Sequence, residues 1–244
     1  MTNKMFASCK FESVVVNMKK TLGVLGGMGP LATALFLEYI ASYTEVERDQ
    51  DHLSIITYSV PSLPDRSDFI LGKSPESPLP QILDYITKLK QDADLIAVPC
   101  VTVMHFYDEM SKIDVPILNI AQLAADEAKK NSSQIGIMAT TGTIASKIFD
   151  KYLDNYIIPS PDYQKLMMDI IYNIKSSGQF SKKDFDAITL HLEEKQATKI
   201  ILGCTELSFI NRSFALGEIF TDALQVLAEK SIETMGKKIR RPYG

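Results

Sequence analysis

Two cysteines stand at matching places in the chain. Cys100 closes the apolar run LIAVPC, residues 95–100, and Cys204 closes KIILGC, residues 199–204. A threonine follows each within two residues, Thr102 and Thr205. A thiol just past a strand's carboxyl end and at the start of the next helix sits where the helix dipole and free backbone N–H groups favour the thiolate. Taken singly, such a cysteine reads as a small buried hydrophobe. Matched in kind and position, the two read as a pair. Two thiols of lowered pKa on one cleft suit proton transfer to both faces of a substrate carbon. The third cysteine, Cys9, has no such support. No CxxC spacing exists, so neither a zinc ribbon nor a disulfide framework is readable. His52 and His191 have no neighbours at metal-ligand spacing, and no metal is expected.

Two cations carry a second signal. Arg66 follows the Pro61–Pro64 turn after an expected strand. Lys165 falls in the first turn of an expected helix, where the macrodipole disfavours a cation by ~0.3–1 kcal/mol. A cation kept there points to an anionic neighbour.

The elements that must position these groups alternate regularly. Strands are expected at 22–27, 53–59, 94–99, 115–118, 134–139 and 198–203, with a short one near 218–220; most are nearly continuous apolar runs, as for strands covered on both faces. Between them, helices are expected at 30–42, 78–91, 102–111, 120–130, 143–153, 162–177, 182–196 and 221–238, with Ser181 and Asp184 as a capping box. Such alternation predicts an α/β fold with parallel sheets. The chain also echoes itself. GVLGGMGPLAT at 23–33 returns as GIMATTGTIAS at 136–146, and LIAVPCVT at 95–102 pairs with KIILGCTE at 199–206. Two matches at similar offsets predict two like lobes, related by a pseudo-twofold, with the site in the cleft between them. The expected division is an extension at 1–17, a first lobe of 18–118 plus 221–244, and a second of 119–220.

Composition narrows the class. The 244 residues are 45% apolar and 23% charged, with a net charge of −4. That composition excludes a disordered chain, and the lack of basic excess argues against nucleic acid as a partner. The longest uncharged run, Thr21 to Leu37, is broken by glycines and Pro30, so no membrane span is expected. Residues 1–17 hold no apolar stretch long enough for a secretory signal. With unpaired cysteines, the chain reads as cytoplasmic.

The chain resembles the cofactor-independent aspartate/glutamate racemases, and their aspartate branch most closely. The resemblance runs from about Lys20 to about Gln225. It is carried by GGMGP (26–30), DQDH (49–52), PDR (64–66), SPLP (77–80), PCVT (99–102), FYDE (106–109), ATTGT (139–143), DYQK (162–165) and GCTEL (203–207). Each motif is weak alone; their order and spacing together are specific. The resemblance implies two Rossmann-like lobes and a small acidic amino acid as substrate. It implies Cys100 and Cys204 as opposed general acid and base, no cofactor, and a homodimer. It assigns Met28, Arg66, Thr102, Thr143, Lys165 and Thr205 to substrate, with Arg66 and Lys165 gripping the side-chain carboxylate. Thr102, Thr205 and the N–H groups after each cysteine would hold the α-carboxylate.

The chain departs from the pattern at two places. Val101 stands where many relatives have Asn, and Met104 where a His is expected, with His105 beside it. One residue along a helix turns a side chain by about 100°, so His105 does not simply replace it. Three rival readings remain. Gly27–Ala32 formally fits a dinucleotide fingerprint, but Asp49 and Asp51 precede the second strand instead of closing it. The losses at 101 and 104 fit an amino-acid-binding protein with relic thiols, and a decarboxylase or cis–trans isomerase would keep the fold. Retention of both cysteines favours racemisation.

Overall fold

The computed structural model describes residues 20–240. The expected extension at 1–17, with Cys9, lies outside the described residues.

In chain order the elements are β1 (Thr21–Gly26), α1 (Pro30–Tyr43), β2 (Ser54–Ser59), α2 (Arg66–Ile70), α3 (Leu79–Leu89), β3 (Leu95–Ala97), α4 (Tyr107–Met110) and α5 (Ile120–Lys129). They continue with β4 (Ile135–Met138), α6 (Thr141–Ala145), α7 (Pro161–Ser177), α8 (Lys182–Glu194), β5 (Lys199–Leu202), α9 (Ser208–Phe214), β6 (Phe220–Asp222) and α10 (Ala223–Thr234). The strands form two parallel three-stranded sheets, ordered β2-β1-β3 and β4-β5-β6. A parallel bridge from Ile96 to Ile117 extends the first sheet beyond β3, and one from Gly136 to Ile157 extends the second beyond β4. Both sheets therefore have the same four places in the same order, as the internal echo predicts.

The echo is visible in packing as well. Gly23 on β1 pairs with Ile96, and Gly136 on β4 pairs with Ile200. A Cβ at Gly23 would lie 2.9 Å from Ala93 Cβ, and one at Gly136 would lie 3.2 Å from Ala197 Cβ. In each half a glycine in the first strand lets the segment leading into the paired strand close onto it. Asn119 caps α5 by accepting from the Ala121 and Gln122 N–H groups; Asp222 caps α10 by accepting from Leu224 and Gln225.

The halves share a core. One hydrophobic cluster contains Leu22 and Val24 of β1, Ile135 and Ile137 of β4, Ile201 of β5, and the apolar faces of α5 and α10. Each half sends its last helix across: α5 packs on β5 and β6, and α10 packs on α1 and β3. A second cluster joins α7 and α8 to the other face of β5, through Met167, Ile171, Phe185, Leu192 and Ile200. No helix among the described residues is long and apolar enough to cross a membrane.

Several expected elements are shorter than their apolar patterns. The helix expected at 102–111 is a 3-10 turn, Thr102–Phe106, followed by the one-turn α4. That expected at 143–153 stops at Ser146, because Lys147 takes the left-handed conformation (φ 54) before a 3-10 turn at Ile148–Lys151. Residues 115–118 contribute only the bridge at Ile117. β6 begins at Phe220 and runs to Asp222, so the second sheet continues past residue 220. Asp222 ends the strand because its carboxylate caps α10. Helix α2 had no apolar period to announce it; Asp65 builds it by accepting from the Asp68 N–H at 2.9 Å.

Candidate functional site

The carboxyl ends of β1, β3, β4 and β5 open onto one pocket. It is lined from the first half by Met28, Asp65, Arg66, Ser67, Cys100, Val101 and Thr102. The second half supplies Thr140, Lys175, Cys204, Thr205 and Glu206. The site is narrow: the cavity volume is about 10 Å³, the scale of a single water.

Both paired cysteines line this pocket and both are buried. Cys100 follows β3 after a tight turn in which its N–H donates to the Val98 carbonyl at 2.7 Å. Cys204 follows β5, with the Gly203 N–H donating to Met138 of β4. Short 3-10 turns succeed both, Thr102–Phe106 and Thr205–Leu207, so neither thiol heads a long helix. The Cys204 Sγ donates to Glu206 Oε2 at 3.0 Å. Burial pushes the Cys204 thiol well above its ordinary range and the adjacent Glu206 carboxylate pushes it further, while Lys175 opposes both. A lowered pKa at Cys204, expected from a helix dipole, is therefore overturned: burial and a neighbouring anion outweigh the end of a single turn.

The threonines tie the halves together. Thr102, Thr140 and Thr143 close a triangle of hydroxyls at 2.9–3.1 Å, one from the first half and two from the second. Thr140 also caps α6 by accepting from the Thr143 N–H. Thr143 is outside the lining and reaches it through its two partners. Across the pocket, Thr205 Oγ1 donates to the Pro99 carbonyl at 3.3 Å. Gly142 lets α6 close on α2: a Cβ there would lie 2.6 Å from Ser67 Cα.

Two cations border the pocket. Arg66, 7% exposed, opens α2 and donates to the carbonyls of Leu63, Pro64 and Met28 at 3.1–3.4 Å. Its Nε is buried without a hydrogen-bond partner, and among the described residues it forms no ion pair. Met28 thus meets Arg66 through its carbonyl. Lys165 is elsewhere: it is exposed at the fifth residue of α7 and does not line the pocket. The cation that α7 sends there is Lys175, three turns further on, 3.9 Å from Glu206 Oε1. Ten residues displace a side chain by roughly 15 Å along a helix and swing it to another face. Burial lowers the Lys175 pKa, but Glu206 and, as thiolates, the two cysteines outweigh it, so the net shift is upward.

Sequence reasoning assigned no role to Glu206, Lys175, Ser67 or Thr140. Glu206 had a signal: it is a lone charge in the buried run GCTELSFI. Lys175 stands four residues after the buried Ile171, beside the apolar stripe of α7. Met104 is buried in the core, and His105 is exposed, edge-on to Phe106. His191 stacks on Tyr163 and accepts from the Ser160 N–H, a packing role. Among the described residues, no group of three or more His, Cys, Asp or Glu side chains is placed to hold a metal.

A family model described as Asp/Glu/Hydantoin racemase matches residues 25–229. The broad specificity amino-acid racemase RacX of Bacillus subtilis is 26% identical over 223 residues, covering 87% of this chain and 97% of that protein. Among solved structures, the aspartate racemase of Picrophilus torridus superposes with a TM-score of 0.76 at 28% identity, covering 91% of this chain and 96% of that one. A glutamate racemase from Francisella tularensis shares the fold at a TM-score of 0.59 and 16% identity, over 89% of this chain and 81% of that one.

Proposed function

The chain belongs to the Asp/Glu/Hydantoin racemase family and is an isomerase, and from that premise we propose that it racemises a small acidic amino acid, aspartate first, with Cys100 and Cys204 as opposed acid and base. The observation that carries the reading is the meeting of the two cysteines in one pocket beside a buried guanidinium with no anionic partner. One thiolate takes the Cα proton while the other thiol donates to the opposite face; in the reverse direction the roles exchange. Positioned acid–base groups supply ~10²–10⁴-fold. The rest falls to electrostatic stabilisation of the carbanion by Arg66, Lys175 and backbone N–H groups, and to exclusion of water by a narrow site. Arg66 receives a substrate carboxylate, with Lys175 taking the place first given to Lys165.

The likeness to a broad specificity racemase over 87% of the chain supports a second reading, in which neutral amino acids are also substrates. Under either reading the enzyme uses no pyridoxal phosphate, flavin or metal, and a homodimer in the cytoplasm is its expected form. The lobe division, 18–118 with 221–244 against 119–220, belongs to the same proposal. Its support is the crossing of α5 and α10.

The test is incubation of purified protein with L-aspartate, L-glutamate and several neutral amino acids in D₂O, following α-deuterium uptake and optical rotation. Aspartate should exchange and racemise. Cys100→Ala or Cys204→Ala should abolish racemisation, with one-sided exchange surviving at most. Tight binding of an amino acid with no exchange would replace the enzyme by a binding protein.

A further inference from the structure

The two thiols are not equivalent. Glu206, two residues past Cys204, is 2% exposed. Its Oε2 accepts from Cys204 Sγ at 3.0 Å and from Thr205 Oγ1 at 3.4 Å. Its Oε1 is buried with no hydrogen-bond partner, and Lys175 Nζ stands 3.9 Å away. Gly29, at the start of α1, leaves the room: a Cβ there would lie 2.8 Å from Glu206 Oε1. In the other half the position two past the cysteine is Thr102, whose hydroxyl is held by Thr140 and Thr143. An isolated buried carboxylate is expensive, so one kept against a thiol in a pocket needs a reason.

We propose that Glu206 is the proton acceptor of Cys204 and Lys175 its counter-charge, so that one proton is shared between Sγ and Oε2 and Cys100 has no such partner. The inference rests on the two-cysteine reading and assigns its unequal halves. When Cys204 is to act as base, its S–H bond breaks and an O–H bond forms on Glu206. The pair keeps one proton and one negative charge, and Lys175 remains the balancing cation. The thiolate then takes the Cα proton, and Cys100 gives its own to the opposite face. That leaves Cys204 a thiol, Glu206 protonated and Cys100 a thiolate, which is the form that runs the reverse reaction. The same proton stands on Glu206 in both directions. The other titratable groups on the pocket are Asp65 and Arg66 of the first half.

Two measurements test this. The first needs no substrate: the ultraviolet thiolate absorbance of Cys204 is titrated in a Cys9→Ser, Cys100→Ser background, where it is the one thiol left. Glu206→Gln removes the adjacent anion and should lower the pH of thiolate formation by roughly 1–3 units; Lys175→Met should raise it. A Glu206→Gln variant that folds and leaves the titration in place overturns the pairing, whatever the activity. The second compares α-deuterium isotope effects on kcat/KM for the two enantiomers. The equilibrium constant of racemisation is one, so kcat/KM itself falls equally in both directions. Glu206→Gln leaves Cys204 no carboxylate to accept its thiol proton, so proton transfer at Cys204 should become limiting. The isotope effect should then grow for the enantiomer attacked by Cys204 and shrink for the other, the same bias expected of Cys204→Ser. A loss of activity with both isotope effects unchanged would make Glu206 merely structural. A shifted titration in a protein that exchanges no amino acid would keep the pair and remove the proposed function.

Discussion

Arg66 is the side chain whose surroundings ask most directly for an anion. It is buried, its visible partners are neutral carbonyls, and its Nε has none. A buried cation in that state is stabilised when a carboxylate enters, through charge-assisted bonds worth about 1.5–3 kcal/mol. Arg66→Ala should therefore raise KM for an acidic amino acid by roughly 10–100-fold, and far less for a neutral one. Steady-state kinetics on both classes checks it, and equal losses would end the specificity role. The cysteine pair is legible in the sequence because the type is rare and its position repeats, whereas the place of Arg66 comes from the family resemblance. Lys165 was not placed correctly by that reasoning: the helix was right, but only its orientation decides which lysine faces inward.

Helix α10 shows burial winning over a helix dipole. Asp222 caps α10 and also accepts from Ser208 at 2.6 Å and Asn211 at 3.0 Å. The dipole and these bonds favour its anion, but burial outweighs them and raises its pKa. The group thus binds its proton more tightly folded than unfolded. Its contribution to stability is fully present below the ordinary carboxylate pKa of ~3.9 and falls as pH rises through the raised folded value. Asn119, at the matching cap of α5, does the same capping with an amide oxygen. Asp222→Asn should accordingly gain in Tm relative to the parent as pH rises from acid to neutral. Thermal unfolding across that range checks it, and a difference independent of pH would show that folding leaves the Asp222 pKa unshifted. The dipole argument also fails in detail at Cys100, where the apolar pattern predicts a helix over 102–111 and a 3-10 turn forms instead. The pattern reports which residues are buried and does not report where a backbone kinks.

At the scale of the molecule, one hydrophobic cluster runs through both sheets, and α5 and α10 each cross to the opposite half. Neither half keeps a closed core without the other's helix. Calorimetry should show a single transition whose calorimetric and van't Hoff enthalpies agree. Two separated transitions would mean that the halves fold independently. Two like α/β halves, their parallel strands and the pairing of Cys100 with Cys204 were determined by the sequence itself, because strand periodicity and internal repetition are properties of the chain read in order. Only the tertiary structure decided which groups meet: Lys175 in place of Lys165, Glu206 against one thiol alone, and three threonines joined across the halves. Those are contacts between residues far apart in sequence or on turns without a period. Burial, which pushes the Cys204 thiol up, exists only once the two halves have closed on each other.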